Sequence, residues 1–317
     1  MTRRLLAPLL LLAALARADA APFAYITNQG SHDVSVIDLA SREVVATVPV
    51  GRSPAGVVAS SRAGKVFVSN PDSKTISVIE MRTQRVVATL PAGDGPVGID
   101  VSPDGTQIYV ADWYRNRLLV IDPERPQAAP AEIAVGRAPA GVAAHPDGRT
   151  VYVAERDDDG IVVIDLPTRQ VRARVKVGSH PFALLVDAPR DRLYALNVLS
   201  DDISVIDTRR LVVTATVKVG RAPYGAALAR GGALLYVTNQ RGDSVSVLDA
   251  TSLKTLRTLD GFAYPEGVAA HGEHVYVVNW MDDDVSVLDA ESGRTLERIA
   301  TGRNSRGFGA FIGAPSP

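Results

Sequence analysis

A repeat of about 42 residues constrains this chain more than any other feature of its sequence. The first recurring column is an aromatic residue followed three positions later by Asn, Asp or Glu, and it starts at Tyr25, Phe67, Tyr109, Tyr152, Tyr194, Tyr236 and Tyr276. The second is an acidic residue that closes the next apolar run: Asp38, Glu80, Asp122, Asp165, Asp207, Asp249 and Asp289. The third is a Gly-x-x-Pro corner led by Gly51, Gly93, Gly136, Gly178, Gly220, Gly261 (one residue longer) and Gly302, with Ser305 replacing the last proline. Three independent columns indicate seven copies of one structural unit.

Each copy has the pattern of strands joined by tight turns. In the copy from Gly220 to Gly261, short apolar runs alternate with clusters of Gly, Pro, Asp, Asn and Ser. The predicted strands are Gly225–Leu228, Leu235–Thr238, Val245–Leu248 and Thr255–Thr258. A four-stranded unit of this size is typical of a β-propeller blade, which must stack on its neighbours around an axis to bury both faces. The predicted fold is therefore all-β, a seven-bladed propeller of four-stranded antiparallel blades.

The two ends of the repeat region predict how the ring closes. The first copy begins at its second strand, Ala24–Asn28, so its first, innermost strand is missing. A surplus strand, Gly307–Ile312, follows the seventh copy and resembles the innermost strand of the other copies. We expect the surplus strand to pair with the first blade, because closure removes open sheet edges.

The repeats resemble those of a known family. The motifs that carry the resemblance are Tyr236-Val237-Thr238-Asn239, Val245-Ser246-Val247-Leu248-Asp249 and Gly220-Arg221-Ala222-Pro223. They are similar to the YVTN-type β-propeller repeat family, which includes the YncE-like periplasmic propellers, and the likeness extends over residues 21–317 as a single propeller. The resemblance implies a fold and leaves the activity open, because propellers host many unrelated functions.

Residues 1–20 have the pattern of a cleaved signal peptide. Arg3 and Arg4 precede an apolar run, Leu5–Leu15, and Ala18-Asp19-Ala20 provides a cleavage site. The sequence thus predicts an exported, periplasmic or secreted, soluble protein without a membrane span, and leaves ordinary and twin-arginine export both open. We expect a monomer.

Composition excludes several kinds of chemistry. The chain has no cysteine, which rules out thiol nucleophiles, iron–sulfur clusters and covalent c-type haem. A formal net charge of −1 gives no general attraction to nucleic acid or anionic lipid. Five histidines are too few for an axial copper cluster, and we predict neither a metal nor a cofactor.

The candidate site lies where the Gly-x-x-Pro corners meet the loops that follow the Asn column, an end of the ring called the corner face below. Arginine follows the corner glycine in four copies, and both tryptophans lie in the loops. The predicted ligand-binding residues are Arg52, Arg137, Arg221, Arg303, Trp113, Trp280, His180, Tyr224, Tyr264 and Glu266. Such a surface suits a small anionic or planar ligand, or an acidic loop of a protein partner.

Each part of this site has a structural alternative. The arginines could brace their corners, the tryptophans could cap the contacts between blades, and His180 could be a structural corner residue. The acidic runs Asp157–Asp159 and Asp282–Asp284 lack the spaced ligands of a calcium loop.

The sequence therefore favours a non-catalytic binding or scaffold protein and identifies no catalytic residue. Two alternatives stay open. One is a propeller enzyme of the lactonase or lyase type, for which Glu266 and His180 are the candidates at the corner face. The other is an accessory subunit of a periplasmic quinoprotein or cytochrome redox system.

Overall fold

The computed structural model describes residues 22–315, which form a seven-bladed propeller of four-stranded antiparallel sheets, as predicted. Blade 1 comprises β1 (Phe23–Asn28), β2 (Asp33–Asp38) and β3 (Glu43–Pro49), and blade 2 comprises β4 (Val57–Ser60), β5 (Lys65–Asn70), β6 (Thr75–Glu80) and β7 (Arg85–Pro91). Blade 3 comprises β8 (Pro96–Val101), β9 (Ile108–Asp112), β10 (Arg117–Ile121) and β11 (Ala131–Ala134). Blade 4 comprises β12 (Pro139–Ala144), β13 (Thr150–Glu155), β14 (Gly160–Asp165) and β15 (Gln170–Lys176). Blade 5 comprises β16 (Pro181–Asp187), β17 (Arg192–Asn197), β18 (Asp202–Asp207) and β19 (Val212–Lys218). Blade 6 comprises β20 (Pro223–Ala229), β21 (Leu234–Asn239), β22 (Ser244–Asp249) and β23 (Thr255–Asp260). Blade 7 comprises β24 (Pro265–His271), β25 (His274–Asn279), β26 (Asp284–Asp289) and β27 (Thr295–Ala300). β28 (Ile312–Gly313) completes blade 1.

Helical structure within residues 22–315 is limited to single 3₁₀ turns at Pro71–Ser73, Arg156–Asp158, Ala188–Arg190, Arg230–Gly232 and Gln240–Gly242. None of these turns is long and apolar enough to cross a membrane. The predicted signal peptide, residues 1–20, lies outside the described residues.

The core lies between adjacent blades. All six residues of β21 are buried, whereas β19, at the outer edge of blade 5, alternates between exposed and half-buried residues. The aromatic column fills the gaps between sheets: Tyr236 of blade 6 packs with Val268 and Val275 of blade 7, and its hydroxyl donates to the Ala290 carbonyl at 2.9 Å. Burial of one such side chain stabilises the fold by about 1.5–3 kcal/mol.

The C-terminal segment, residues 305–313, closes the ring on blade 1 as predicted. The backbone N–H of Tyr25 donates to the Phe311 carbonyl at 2.9 Å, and Ala24 and Ile312 pair in the antiparallel ladder. Phe311 is fully buried in the core between blades 1 and 2. The ends of the described chain are thus joined through a β-ladder.

The closing strand is shorter than the Gly307–Ile312 strand that the sequence predicted. Residues 308–310 turn their carbonyl groups toward blade 2, where the N–H of Val57 donates to Phe308 at 2.9 Å and that of Ala59 donates to Ala310 at 2.8 Å. The segment therefore divides its hydrogen bonds between two blades, so only Ile312–Gly313 forms a regular strand on β1.

Candidate functional site

The corners and the loops after the Asn column meet on one face of the ring. An added Cβ atom at Gly220 would lie 2.5 Å from the Asn239 side chain, so this corner has room only for glycine. The Gly220 N–H donates to Asn239 Oδ1 at 3.0 Å, while Asn239 Nδ2 donates to the hydroxyls of Ser244 and Ser246. In blade 6 the motif residues that recur along the sequence thus bind one another.

In blades 3 and 4, carboxylates replace the asparagine without loss of the corner contact. Asp112 Oδ1 accepts from the Gly95 N–H at 2.9 Å, and Glu155 Oε1 accepts from the Gly136 N–H at 2.7 Å. Arg117, 2.9 Å from the Asp112 carboxylate, neutralises one of these buried charges, and Arg174 plays the same part for Glu155.

A second recurring contact explains the acidic runs. The third corner residue has a left-handed backbone, and its N–H donates to a side chain of the preceding loop; the pairs are Ser53 with His32, Ala138 with Asn116, His180 with Asp159, Ala222 with Asp201, Tyr264 with Asp243, and Asn304 with Asp283. Asp158 binds Arg137, while Asp282 and Asp284 bind Arg298. Among residues 22–315, no group of three or more His, Cys, Asp or Glu side chains is placed to hold a metal ion.

Three of the four corner arginines hold the loop next to them. Arg52 donates to the Asp72 carbonyl at 3.0 Å and Arg303 to the Gly30 carbonyl at 3.0 Å. Arg137 contacts both the Asp158 carboxylate and the Asp157 carbonyl at 2.7 Å. The fourth, Arg221, is exposed and its guanidinium bonds no residue of the described range 22–315. None of the four lines the central cavity.

The tryptophans contact neighbouring blades. The Trp113 ring centroid lies 6.4 Å from that of Phe182, and the Arg156 guanidinium carbon lies 5.4 Å from the Trp113 ring. Trp280 packs on Tyr264 with centroids 5.5 Å apart, and its indole N–H donates to Gln29 of blade 1 at 3.3 Å. These contacts agree with the capping alternative.

His180 sits between two carboxylates at the corner face. Its ring nitrogens lie 3.8 Å from Asp157 and 3.8 Å from Asp159, and its own N–H is bonded to Asp159. Glu266 is bonded to other residues, so the two candidates for acid–base chemistry are not brought together.

A cavity of about 420 Å³ occupies the central channel. Its walls are the first strands of blades 3 to 7 together with residues 307–310, and most of the lining residues are Gly, Ala, Val or Leu. Small side chains on these strands leave the axis open. The volume is within the range of small-molecule sites, which are mostly apolar with a few polar groups.

Three aromatic rings, from Phe182, Tyr224 and Phe308, close the corner end of this channel; they are called the aromatic plug below. The centroids of Phe182 and Tyr224 are 4.6 Å apart, and those of Phe182 and Phe308 are 4.8 Å apart. Phe182 belongs to blade 5 and Phe308 to blade 1, which are not adjacent, so their contact crosses the channel.

The opposite end of the channel is open to solvent. Tyr224 and Phe308 of the plug are 6% and 8% exposed. Gly309 and Ala310, which follow Phe308 in the closing segment, are exposed. A molecule would therefore enter from the face opposite the corners.

A buried ion pair supports the plug. Arg306 Nε donates to Glu266 Oε2 at 2.6 Å, and Gln240 Nε2 donates to Glu266 Oε1 at 2.8 Å. A second Arg306 nitrogen donates to the Tyr224 hydroxyl. Burial opposes the charge of Arg306, but Glu266 and Tyr224 outweigh this effect and raise the pKa of the guanidinium. Arg306 thus stays positively charged although it is buried.

Asp100 is the other carboxylate of the lining. It lies near the end of β8 that faces the open end of the channel. Its Oδ1 accepts a hydrogen bond from the N–H of its neighbour Val101 at 2.8 Å, and its Oδ2 accepts one from the N–H of Ala144 in blade 4 at 2.8 Å. Burial among apolar walls raises the pKa of Asp100 to about 6, although the two N–H donors oppose this shift.

The sequence prediction found two of these channel residues, Tyr224 and Glu266, and missed the others. Arg306 and Phe182 directly follow the last residue of a corner, in the same column as Tyr224 and Glu266, and this column varies too much to be recognised as a motif. One signal in the sequence was available for Asp100. It is an acidic residue in the first strand of its blade, and the first strands of the other blades are rich in Gly and Ala.

Comparisons with known proteins agree with the repeat analysis. Residues 59–147 match the model of the YNCE-like beta-propeller family, and the predicted resemblance is confirmed. The chain has the fold of the YncE-like propellers. No curated protein matches the sequence.

Solved structures that are similar to this chain include three that match nearly its whole length. The Kuenenia stuttgartiensis hydrazine synthase structure has 19% identity and a TM-score of 0.73 over 90% of this chain and 100% of that one. The dihydro-heme d1 dehydrogenase NirN has 18% identity and a TM-score of 0.70, over 94% and 77%. A functionally unknown protein from Desulfotomaculum acetoxidans has 14% identity and a TM-score of 0.77, over 93% and 99%. At these identities the likeness concerns the fold alone.

Proposed function

We propose that this protein is an exported, non-catalytic binding propeller that takes a small, mostly apolar molecule into its central channel. The observation that carries the proposal is the cavity of about 420 Å³, closed at the corner face by the aromatic plug and open at the opposite face. A blind, apolar pocket excludes water from a ligand on all sides but one.

The charges around the cavity support binding rather than catalysis. Glu266 is held by Arg306 and Gln240, and Asp100 accepts two backbone N–H groups. General acid–base catalysis requires a group within hydrogen-bond reach of the proton it transfers, and Asp100, the carboxylate of the lining without an ion-pair partner, has no His, Lys or Cys side chain beside it among the lining residues to act with it.

Six of the predicted corner-face residues have three different roles under this proposal. Tyr224 and Glu266 belong to the wall of the binding site. We assign Arg52, Arg137 and Arg303 to bracing of the corners, because their guanidinium groups are occupied by the adjacent loops. Arg221 bonds none of residues 22–315 through its guanidinium and is the one of the four that still suits an anionic group of a ligand or partner.

Saturation-transfer NMR with 1-pentanol, 1-heptanol and cyclohexanol tests the proposal. Ala310 is exposed and lines the open end of the channel, so Ala310→Trp should block entry. Ala40→Trp places the same ring on an exposed turn between β2 and β3, outside the channel, and serves as the matched control.

We expect transfer signals with the wild type and with Ala40→Trp, and their loss with Ala310→Trp. The proposal fails if none of the probes binds the wild type, or if Ala310→Trp binds them as well as Ala40→Trp does.

A further inference from the structure

The channel wall carries a carboxylate that has no cationic partner. Asp100 is bonded through its side chain only to the N–H groups of Val101 and Ala144, and no Lys, Arg or His side chain of residues 22–315 forms an ion pair with it. Each oxygen accepts one hydrogen bond, and a carboxylate oxygen can accept two. Asp100 therefore has acceptor capacity left beside the cavity.

The fold does not require an acid at this position. Asp100 pairs across the ladder with the aromatic residue of its blade, Tyr109. The residues in the same register of blades 2, 4, 5, 6 and 7 are all apolar: Val58, Ala143, Leu185, Ala227 and Ala269. The blades assemble without a polar side chain there, so a purely structural tie to Ala144 does not account for Asp100.

The ionised side chains around the cavity carry a net charge of about one negative unit. Its lining contains two carboxylates, and the charge of Glu266 is cancelled by Arg306 at 2.6 Å. The rest of the lining is apolar, apart from backbone groups and the Tyr224 hydroxyl. Asp100 is half-buried, and a charge without a partner in such a place is unfavourable; a ligand that brings the opposite charge reduces this penalty.

We infer that the channel ligand is an organic cation, a protonated amine whose ammonium group binds Asp100 at the open end while its apolar body reaches the aromatic plug. This inference rests on the proposed function and specifies the class of its ligand.

The dimensions of the channel limit the length of such a molecule. Asp100 lies four residues beyond Pro96, the corner proline that begins β8, and Tyr224 lies one residue beyond Pro223, which begins β20 in the equivalent position of blade 6. Three strand residues span about 10 Å along the channel. A chain of medium length, such as that of heptylamine, matches this distance.

Titration calorimetry with heptylamine and 1-heptanol tests the inference, because the two probes share one apolar body and differ in charge. At neutral pH the wild type should bind the amine at least about tenfold more tightly than the alcohol. Asp100→Asn should remove this preference, so that the variant binds the two probes within about twofold of each other. Asp104→Asn removes a carboxylate from the same blade outside the cavity and should preserve the preference.

The outcomes separate this inference from the function on which it rests. Equal affinities of the wild type for both probes, or an amine preference that survives in Asp100→Asn, would overturn the cation assignment while the channel stays a binding site. Absence of binding by both probes would overturn the proposed function together with the inference.

A measurement on the wild type covers the case in which Asp100→Asn fails to fold. Carboxyl ¹³C NMR follows the titration of Asp100, and saturating heptylamine should move it to lower pH, because an ammonium stabilises the carboxylate. The other titratable groups around it are Tyr109 opposite in the ladder, Asp104 on the next turn, His145 after Ala144, and Glu266 across the cavity. An unchanged Asp100 titration would contradict the inference.

Discussion

The guanidinium of Arg306 and the carboxylate of Glu266 lie 2.6 Å apart at the buried end of the central channel. Arg306 belongs to the C-terminal segment that closes blade 1, and Glu266 belongs to the first strand of blade 7. Their ion pair thus joins the closing segment to the last blade, beside the β-ladder that joins it to the first. It also fixes the Tyr224 ring of the aromatic plug through the tyrosine hydroxyl.

Removal of either partner of this pair should destabilise the fold strongly. Glu266→Gln and Arg306→Met each leave a buried group without its counter-charge, and the free energy of unfolding should fall by about 3–5 kcal/mol in each variant. The double variant should lose less than the sum of the two, because the second substitution removes the unpaired charge. Equilibrium urea unfolding measures all three, and strictly additive losses would show that the pair is not coupled.

The Asn column should contribute to stability through its contacts with the corners. Asn239→Ala leaves the Gly220 N–H and the hydroxyls of Ser244 and Ser246 without their partner in a buried site. We expect a loss of about 2–3 kcal/mol in the free energy of unfolding. Gln240→Ala, one residue further along, instead removes a contact with Glu266. A comparison of the stability losses of the two variants separates the contribution of the corner contact from that of the contacts that support the aromatic plug. A change below about 1 kcal/mol for Asn239→Ala would contradict this role.

The residues that repeat are also the residues that the sequence alone could assign. Gly220 and Asn239 recur in most copies because the corner glycine packs directly against the Asn side chain, whose Nδ2 donates to a serine hydroxyl of the next strand, and so they reveal the number of blades and their boundaries. The plug does not repeat. Phe182 and Phe308 meet across the axis from blades 5 and 1, and their contact depends on small residues in the strands between them.

The same reasoning explains why the sequence placed the ligand at the corner arginines. Arg137 and its equivalents stand out because they recur, but their recurrence reflects a bracing contact that each corner can use. Asp100 appears once, and its environment is made by residues of other blades. A site built at the axis of a repeat protein therefore has to be sought among the departures from the repeat.

The C-terminal segment should be essential for a stable ring. A chain that ends at Asn304 lacks Phe311, Phe308 and Arg306, and the loss of one buried phenylalanine alone lowers stability by about 3–5 kcal/mol. Since typical domains have a total stability of about 5–15 kcal/mol, this chain should unfold at a much lower temperature or fail to fold. Circular dichroism against temperature provides the comparison. A control chain that ends at Ala314 keeps the described closing contacts and should melt like the full-length protein; equal melting of both chains would exclude the closing role.

Arg137 and Arg221 occupy equivalent corners and should respond differently to alanine substitution. Arg137→Ala removes contacts with Asp158 and Asp157, so the melting temperature should fall slightly. Arg221→Ala should leave it unchanged, because the guanidinium bonds no residue between positions 22 and 315. Differential scanning fluorimetry at low and high salt distinguishes the two, since the Arg137–Asp158 pair is exposed and screened by salt. Equal shifts for both variants would show that the bracing contacts do not matter for stability.

The stability of the protein should depend on pH through Asp100. The pKa of this group is about 6 in the folded protein and close to 3.9 in an unfolded chain, so the folded state holds the proton more tightly. The wild type therefore loses stability as pH rises from about 4 to about 6 and no more above that, whereas Asp100→Asn lacks this loss. The difference in unfolding free energy, variant minus wild type, should rise by up to about 2 kcal/mol between pH 4 and pH 7, and solvent in the cavity keeps it below the full value.

Asp104→Asn provides a control of opposite sign for this pH dependence. Hydrogen bonds from Ser102 and Thr106 lower the pKa of Asp104, so its carboxylate contributes stability that is lost as pH falls. The difference between Asp104→Asn and the wild type should consequently decrease as pH rises, while that for Asp100→Asn increases. Urea unfolding of the three proteins across this pH range measures both slopes, and the subtraction cancels the contributions of the titratable groups that all three proteins share. Parallel profiles for the two variants would mean that Asp100 titrates like an ordinary surface carboxylate, and the channel would then lack the buried charge on which its preference for cations depends.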